Sequence, residues 1–375
     1  MVTPTAGTRV EAHDGTALFT ELARVVTALS GLDRLRSFTL PYPCDAQLAL
    51  DRTVLYCLDR NRTPPKSVPE LMSWCRVNTA GSDLFRVPPA FVTPEATLID
   101  PVGMMPTRTC FELASFGPLG QVEQEAIGLL EDLEARCGSV EMYDRCRRFV
   151  TEWPVISQSD RFRRQGTWKP AVWNRVKDLY EPVPKCLIHR RSLARCGTCG
   201  LPALPPGKPV ADTQRWCESG NCPPGVPVRL VREPDSTLLL RRSLRVFLAL
   251  PGPTEQAALD ELTRARVGYE FVPGGLGTYR IDDIAGRTCF LRAYDRQQPA
   301  LLAARITDSF VDLTGLAVAV VPRRLTDRPD YRTAFEAALG ADLRERVMLT
   351  SPEDLVSSMR ATQKTQWKES ENDRA

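Results

Sequence analysis

Apolar residues recur at helical spacing through the first third of the chain. From Thr16 to Leu35 they fall at Leu18, Leu22, Val25, Val26, Leu29 and Leu32, and Ala46 to Leu58 repeats the pattern, so both segments are predicted as amphipathic helices. Pro64, Pro65 and Pro69 break the chain before a short helix from Leu71 to Cys75. Residues 86–108 carry five prolines and predict an extended, irregular crossing. A further helix, Gln121 to Cys137, places Ile127, Leu130 and Leu133 between acidic residues and stops at Gly138. Residues 1–142 therefore read as a mainly helical domain with no catalytic signature.

The pattern changes after Pro234. Thr237 to Leu250 is apolar and arginine-rich, and Pro251-Gly-Pro-Thr-Glu255 leads into a helix from Gln256 to Arg266 that Gly268 closes. Tyr269–Val272, Thr278–Ile284 and Thr288–Tyr294 follow as strands separated by glycine turns, then a helix over Ala300–Arg305 and a buried strand over Leu316–Val321. This is an α/β layout, assigned to a domain over residues 236–350, with the polar residues 351–375 as a flexible tail. No apolar run reaches the roughly 18 to 20 residues of a membrane span. The N-terminus shows no basic region followed by an apolar block, so a soluble cytoplasmic protein is expected.

Composition adds little until it is read locally. The chain has 375 residues, 43% hydrophobic and 25% charged, which suits two or three globular domains and argues against long disorder. Net charge is only +3, but residues 145–195 hold thirteen Lys/Arg against four Asp/Glu, a surplus of nine that leaves the remainder at −6. Within Tyr143–Tyr180 these cations alternate with aromatics: Arg147, Arg148, Phe149, Trp153, Arg161, Arg163, Arg164, Trp168, Lys169 and Trp173. Guanidinium groups neutralise phosphates and aromatic faces accept unpaired bases, so the segment is a candidate nucleic-acid groove. An amphipathic helical pair with aromatics inside and arginines solvated gives the same pattern, and both readings stand.

Histidine is scarce and cysteine is not. With only His13 and His189, a multi-histidine metal centre cannot be assembled within one chain. Twelve cysteines include Cys196-Gly-Thr-Cys199-Gly followed by Cys217 and Cys222, two close pairs separated by seventeen residues. That spacing approaches a four-cysteine structural zinc ribbon, in which a closed sulfur shell leaves no position for water. Cys186 and His189 lie just upstream and could replace one ligand. Residues 143–235 thus form a basic, aromatic segment ending in a structural zinc site.

The order helix, strand, hairpin, strand after Pro251 is that of a restriction-endonuclease-like core, so the whole chain reads as α+β and multidomain. Its segments Pro253-Thr-Glu255, Tyr269-Glu-Phe-Val-Pro273, Tyr279-Arg-Ile281, Phe290-Leu-Arg-Ala-Tyr-Asp295, Pro299-Ala-Leu-Leu302 and Val320-Val-Pro322 resemble nuclease-type proteins of prokaryotic pPIWI-RE three-gene islands. Phe149-Val-Thr-Glu-Trp-Pro-Val155, Tyr180-Glu-Pro-Val-Pro184 and the first cysteine knuckle are similar to the same group. The resemblance implies defence against phage or plasmid DNA, with a PIWI-like protein and a helicase as partners.

It also implies a departure. The PD-(D/E)xK arrangement needs two carboxylates for Mg²⁺ and a lysine to polarise the attacking water. The resemblance sets Arg280 at the first acid, Arg292 at the second and Tyr294 at the lysine, leaving Glu255 and Asp295 as matches. Asp282 and Asp283 are rescue candidates. The expected function is a non-catalytic, pseudonuclease component that binds DNA or RNA or bridges its partners, with Arg147, Arg148, Arg161, Arg163, Arg164, Trp168, Lys169, Arg280 and Arg292 as nucleic-acid contacts. The alternatives are an active Mg²⁺-dependent endonuclease and a zinc-bearing interaction subunit without nucleic-acid contact.

Overall fold

The helical periodicity of the N-terminal segment is realised as the helix Asp14–Leu32, whose Leu18, Phe19, Leu22, Val25, Val26 and Leu29 are buried. The computed structural model describes residues 14–32, 35, 40–157, 160, 169–204, 216–220, 222–223, 226–281, 288–310 and 315–361. They divide into two compact units, one ending at Ala114 and one beginning at Ser115.

In the first unit the helices Cys44–Asp59 and Val68–Val77 follow. Ser67 caps the second, its Oγ accepting from the Glu70 amide, with Pro69 in the first turn. The proline-rich crossing is irregular, as expected, with one isolated bridge between Ile99 and Pro106. It ends in a helix absent from the pattern reading, Arg108–Ala114, in which every side chain is buried. A helix enclosed on all sides shows no amphipathic stripe, which is why periodicity misses it. Its two charges satisfy each other: Arg108 Nε lies 3.1 Å from Glu112 Oε1, one turn away.

The second unit opens with the helices Val122–Cys137 and Val140–Glu152, joined at Gly138 and Ser139. The second buries Tyr143, Cys146, Arg147 and Val150 on one face and turns Arg145 and Arg148 outward. Strands β1 (Val155–Ile156), β2 (Tyr180–Pro182) and β8 (Leu238–Leu240) make a small antiparallel sheet in the order β1-β8-β2. Between them, β3 (Ile188–His189), β4 (Ser192–Cys196), β5 (Pro202–Leu204) and β6 (Trp216–Cys217) form a second sheet, and β7 (Val228–Val231) pairs with β4.

The last sheet carries the α/β layout expected from the sequence. Strands β9 (Tyr269–Val272), β10 (Thr278–Ile281), β11 (Cys289–Ala293), β12 (Leu316–Val320) and β13 (Val347–Thr350) lie in sequential order; β10 is antiparallel to both neighbours, and β11, β12 and β13 are mutually parallel. On one face Ala258, Leu259 and Leu262 of the helix Gly252–Arg264 pack over Leu291, Val318 and Val320. On the other, Leu302, Ala303 and Ile306 of the helix Pro299–Phe310 meet Tyr331 and Phe335 of Pro329–Ala338. Each fully buried leucine contributes on the order of 2 kcal/mol through area removed from water. The chain beyond Thr350, expected as a tail, is helical over 355–361 with Leu355 and Met359 buried against the sheet; residues 362–375 lie outside the described set. The molecule is α+β, with an N-terminal helical region, a cysteine cluster and a C-terminal α/β region. No helix among the described residues is long and apolar enough to cross a membrane.

Candidate functional site

The four cysteines singled out by spacing converge. Cys196 closes β4, Cys199 follows in the tight turn toward β5, Cys217 ends β6, and Cys222 lies in the loop beyond it. Gly200, at a φ of +73°, lets the turn reverse after Cys199, a conformation that an L side chain resists. The turn is closed by the Gly200 amide donating to the Cys196 carbonyl at 3.0 Å. All four Sγ atoms lie within 4.8 Å of one another, with Cys199–Cys217 at 3.4 Å and Cys217–Cys222 at 3.9 Å.

These separations suit one ion. A tetrahedral zinc with Zn–S bonds of about 2.3 Å has sulfur–sulfur edges of about 3.8 Å, whereas a disulfide needs about 2.05 Å. All four are free cysteines. Backbone amides of Thr198 and Cys199 donate to Cys196 Sγ, that of Leu201 to Cys199 Sγ, and the Ser219 side chain to Cys222 Sγ, contacts that favour a thiolate on each of these sulfurs. Without a cation the sulfurs compete: thiol hydrogen bonds lower the pKa of Cys196 and Cys222, whereas those of Cys199 and Cys217 are driven far up. A positive ion would relieve this competition, and four cysteines so placed could hold a metal such as zinc. Among the described residues this is the one group of three or more potential ligands close enough to share an ion, and it includes neither Cys186 nor His189.

The residue after Cys217 ties the cluster to the remainder of the unit. Glu218 is 2% exposed and meets Arg245 through two hydrogen bonds, of 2.7 and 2.9 Å, with Arg242 at 3.4 Å. Burial alone would raise its pKa, but Arg245 and then Arg242 more than compensate, and the carboxylate is held below its ordinary range. Arg245 opens a π-helical turn, Arg245–Ala249, and also donates to the Leu240 carbonyl of β8. The second knuckle is thus anchored by charge to the segment that enters the C-terminal sheet.

The nuclease positions do not assemble. Glu255, in the first turn of Gly252–Arg264, accepts from Arg147 Nη1 and Nη2 at 2.6 Å each and from the Tyr279 hydroxyl at 2.7 Å. Because Tyr279 faces Glu255, its neighbour Arg280 points to the opposite sheet face. The pairing of Tyr279 with Leu291 puts Arg292 on that opposite face too. Arg280 is exposed and pairs with Glu270 across β9 and β10 at 2.5 Å. Arg292 is buried 3.5 Å from Glu123, with its guanidinium 5.0 Å from the Tyr294 ring centre. Asp295 is buried and bonded to Arg324. Asp282 and Asp283 lie outside the described residues.

The nucleic-acid candidates divide similarly. Arg147, at 1% exposure, is committed to Glu255 and the Leu276 carbonyl, so its guanidinium offers no face to a phosphate; Arg292 is likewise enclosed. Arg148 is exposed but bonded to Asp144, while Lys169 is exposed. Arg161, Arg163, Arg164 and Trp168 lie outside the described residues. Of the aromatics, Phe149 meets Trp173 edge-on at 6.3 Å and Trp173 meets Tyr180 at 5.7 Å, so they stack on one another within the protein.

Sequence reasoning missed the acidic anchors. Glu123, in the first turn of Val122–Cys137, is buried among Arg292, Arg296 and Arg305. Its spacing resembles that of any helix-surface acid, and its partners are about 170 to 180 residues away. Arg147 was findable: Tyr143, Cys146, Arg147 and Val150 recur at helical intervals, which marks a buried stripe.

The family model described as pPIWI_RE three-gene island domain Y matches residues 18–157. It supports the island resemblance drawn from the sequence, although its matched region is chiefly the N-terminal helical part and shares only Phe149–Val155 with the segments that carried that resemblance. No curated protein and no solved structure matches the chain.

Proposed function

We propose that this chain is a non-catalytic component of a pPIWI-RE-type defence island, one that grips nucleic acid or bridges a PIWI-like protein and a helicase, with its four-cysteine cluster holding structural zinc. The match over residues 18–157 supports the island context. The C-terminal sheet supports the nuclease-like ancestry: a helix precedes the first strand, a meander follows, and a helix leads into a parallel fourth strand.

One observation carries the non-catalytic reading. The single acid that the family pattern leaves on the first helix, Glu255, is neutralised in both oxygens by Arg147, and arginines stand where further carboxylates would be needed. A divalent ion requires several converging oxygens and is repelled by guanidinium groups.

The purified full chain, loaded with zinc, is incubated with single-stranded and duplex DNA and with RNA in Mg²⁺ or Mn²⁺. Salt-sensitive binding without cleavage is expected. Cleavage that needs the divalent ion and disappears in Glu255→Gln or Asp282→Asn overturns the non-catalytic reading.

A further inference from the structure

The hairpin joining β3 to β4 has two residues between the paired His189 and Ser192, and both are arginine. Arg190 has a φ of +48° and Arg191 of +61°. Two successive left-handed residues define the type I′ turn, whose natural occupants are Asn-Gly, because an L side chain with a Cβ is strained there. Two bulky arginines are an unfavourable choice for the fold. Strain of this kind, held at an exposed tip by a well-paired sheet, is found where the side chains serve something outside the fold.

Their surroundings agree. Both are exposed, and no described residue holds either in an ion pair. They contrast with Arg147, Arg245 and Arg292, whose charges are consumed by buried glutamates. Further along the same sheet Arg195 of β4 stands directly opposite Arg229 of β7, a like-charge pair that a strand pairing avoids unless an anion relieves it. Arg195 is partly held by Asp160 at 3.8 Å, whereas Arg229 and the following Arg232 are exposed. Leu230 is the one exposed large apolar residue on this sheet among the described residues, which falls short of the apolar centre of a protein interface. The tip is also rigidly mounted. β4 runs from the turn directly into Cys196, so the metal site fixes the direction in which the arginines project, over about 17 Å of strand.

We infer that the Arg190–Arg191 turn, with Arg229 opposite Arg195 further along the same sheet, is a phosphodiester-binding tip that grips the backbone of a nucleic acid. This rests on the nucleic-acid reading above and gives it a site that the buried arginines of the basic segment cannot supply. Guanidinium groups address phosphate oxygens in pairs, so the contact is to the backbone and carries no base preference of its own.

The test exchanges the strained pair for the residues that the turn prefers. Arg190→Asn with Arg191→Gly is made in the full, zinc-loaded chain. Binding of a fluorescein-labelled 20-nucleotide single strand and the corresponding duplex is followed by polarisation from low to high salt, beside the thermal midpoint of each protein. The double variant is expected to melt higher than the parent yet bind about tenfold more weakly, with a salt slope shallower by about 2. A parent that binds, together with a variant of equal affinity and slope, overturns the inference and leaves the proposed function standing. A variant that melts lower shows the arginines to be structural and also overturns it. If the parent binds neither oligonucleotide, the nucleic-acid reading itself fails. If polyglutamate displaces the oligonucleotide at equal charge concentration, the site is one for acidic polymers in general and the phosphodiester assignment falls.

Discussion

Arg147 and Glu255, 108 positions apart, meet as a buried ion pair in which both guanidinium Nη atoms lie 2.6 Å from separate carboxylate oxygens. Burial alone would lower the Arg147 pKa, but Glu255 more than compensates, and it lies above the ordinary arginine value. Such a pair is costly to break and cheap to replace whole. Arg147→Met and Glu255→Met are each expected to lower the unfolding free energy by about 3–5 kcal/mol, and the double variant to recover most of it. Urea denaturation of the four proteins checks this, and strictly additive losses would contradict it.

The lid over that pair is a glycine. Gly277 has a φ of +104°, and a Cβ placed on it would come within 2.0 Å of Arg147 Nη2. Gly277→Ala therefore strains the backbone and pushes on a guanidinium that cannot move without losing Glu255. A loss of at least about 2 kcal/mol is expected, read as a fall of several degrees in thermal midpoint. Gly274 is the control: its φ is also positive, but the space beside it is open, so Gly274→Ala carries the backbone strain alone and should cost less.

These two relationships mark the limit of what the residues disclosed. Periodicity was sufficient for Asp14–Leu32, Cys44–Asp59 and Val122–Cys137, because each shows one face to solvent and one to the core. It was silent on Arg108–Ala114, which is enclosed, and on β13, whose Val347-Met-Leu-Thr350 is a short run that fits a strand or a helix turn equally. The cysteine cluster was legible because ligand spacing is a local property. The destinations of the arginines were not, since whether a cation is solvated or buried depends on an acid far away in sequence. The basic count over residues 145–195 suggested a phosphate groove, yet Arg147 is spent inside the protein and Arg148 on its own helix. Nothing in the residue types of Arg190 and Arg191 reveals their left-handed turn.

The cysteine cluster makes a quantitative statement about metal. Cys217 is buried, lies 3.4 Å from Cys199 Sγ and precedes Glu218, so its loss should remove both a ligand and the register of the Arg245 contact. Cys217→Ser is expected to reduce bound zinc from about one ion per chain to a small fraction, and to lower the thermal midpoint more than Glu218→Gln does. Metal release from denatured protein, titrated with a colorimetric chelator, measures the first. Cys186→Ser, outside the cluster, should leave the zinc content unchanged; a loss there would assign it as a ligand instead.

Acid weakens the ion-pair cluster around Glu123. Burial would raise the pKa of Glu123, but Arg296, Arg305 and Arg292 surround it and hold it down at about 2, against an ordinary value of 4.5. A folded-state pKa below the unfolded one means that the unfolded chain takes up the proton first. The stabilisation is therefore complete above about pH 5 and drains away as the pH falls through 4.5 toward 2. A displacement of this size corresponds to about 3 kcal/mol. The Glu123→Gln variant retains the hydrogen-bonding shape but has no charge to titrate, so subtracting its stability from that of the parent isolates this group. Urea unfolding at pH 7, 5 and 3 should give a difference that is nearly constant between the first two and less than half as large at the third. A difference that stays flat to pH 3 would mean that the three arginines do not act on Glu123 in the folded protein. A difference that grows on acidification would reverse the sign of the shift and place the proton on the carboxyl in the native state.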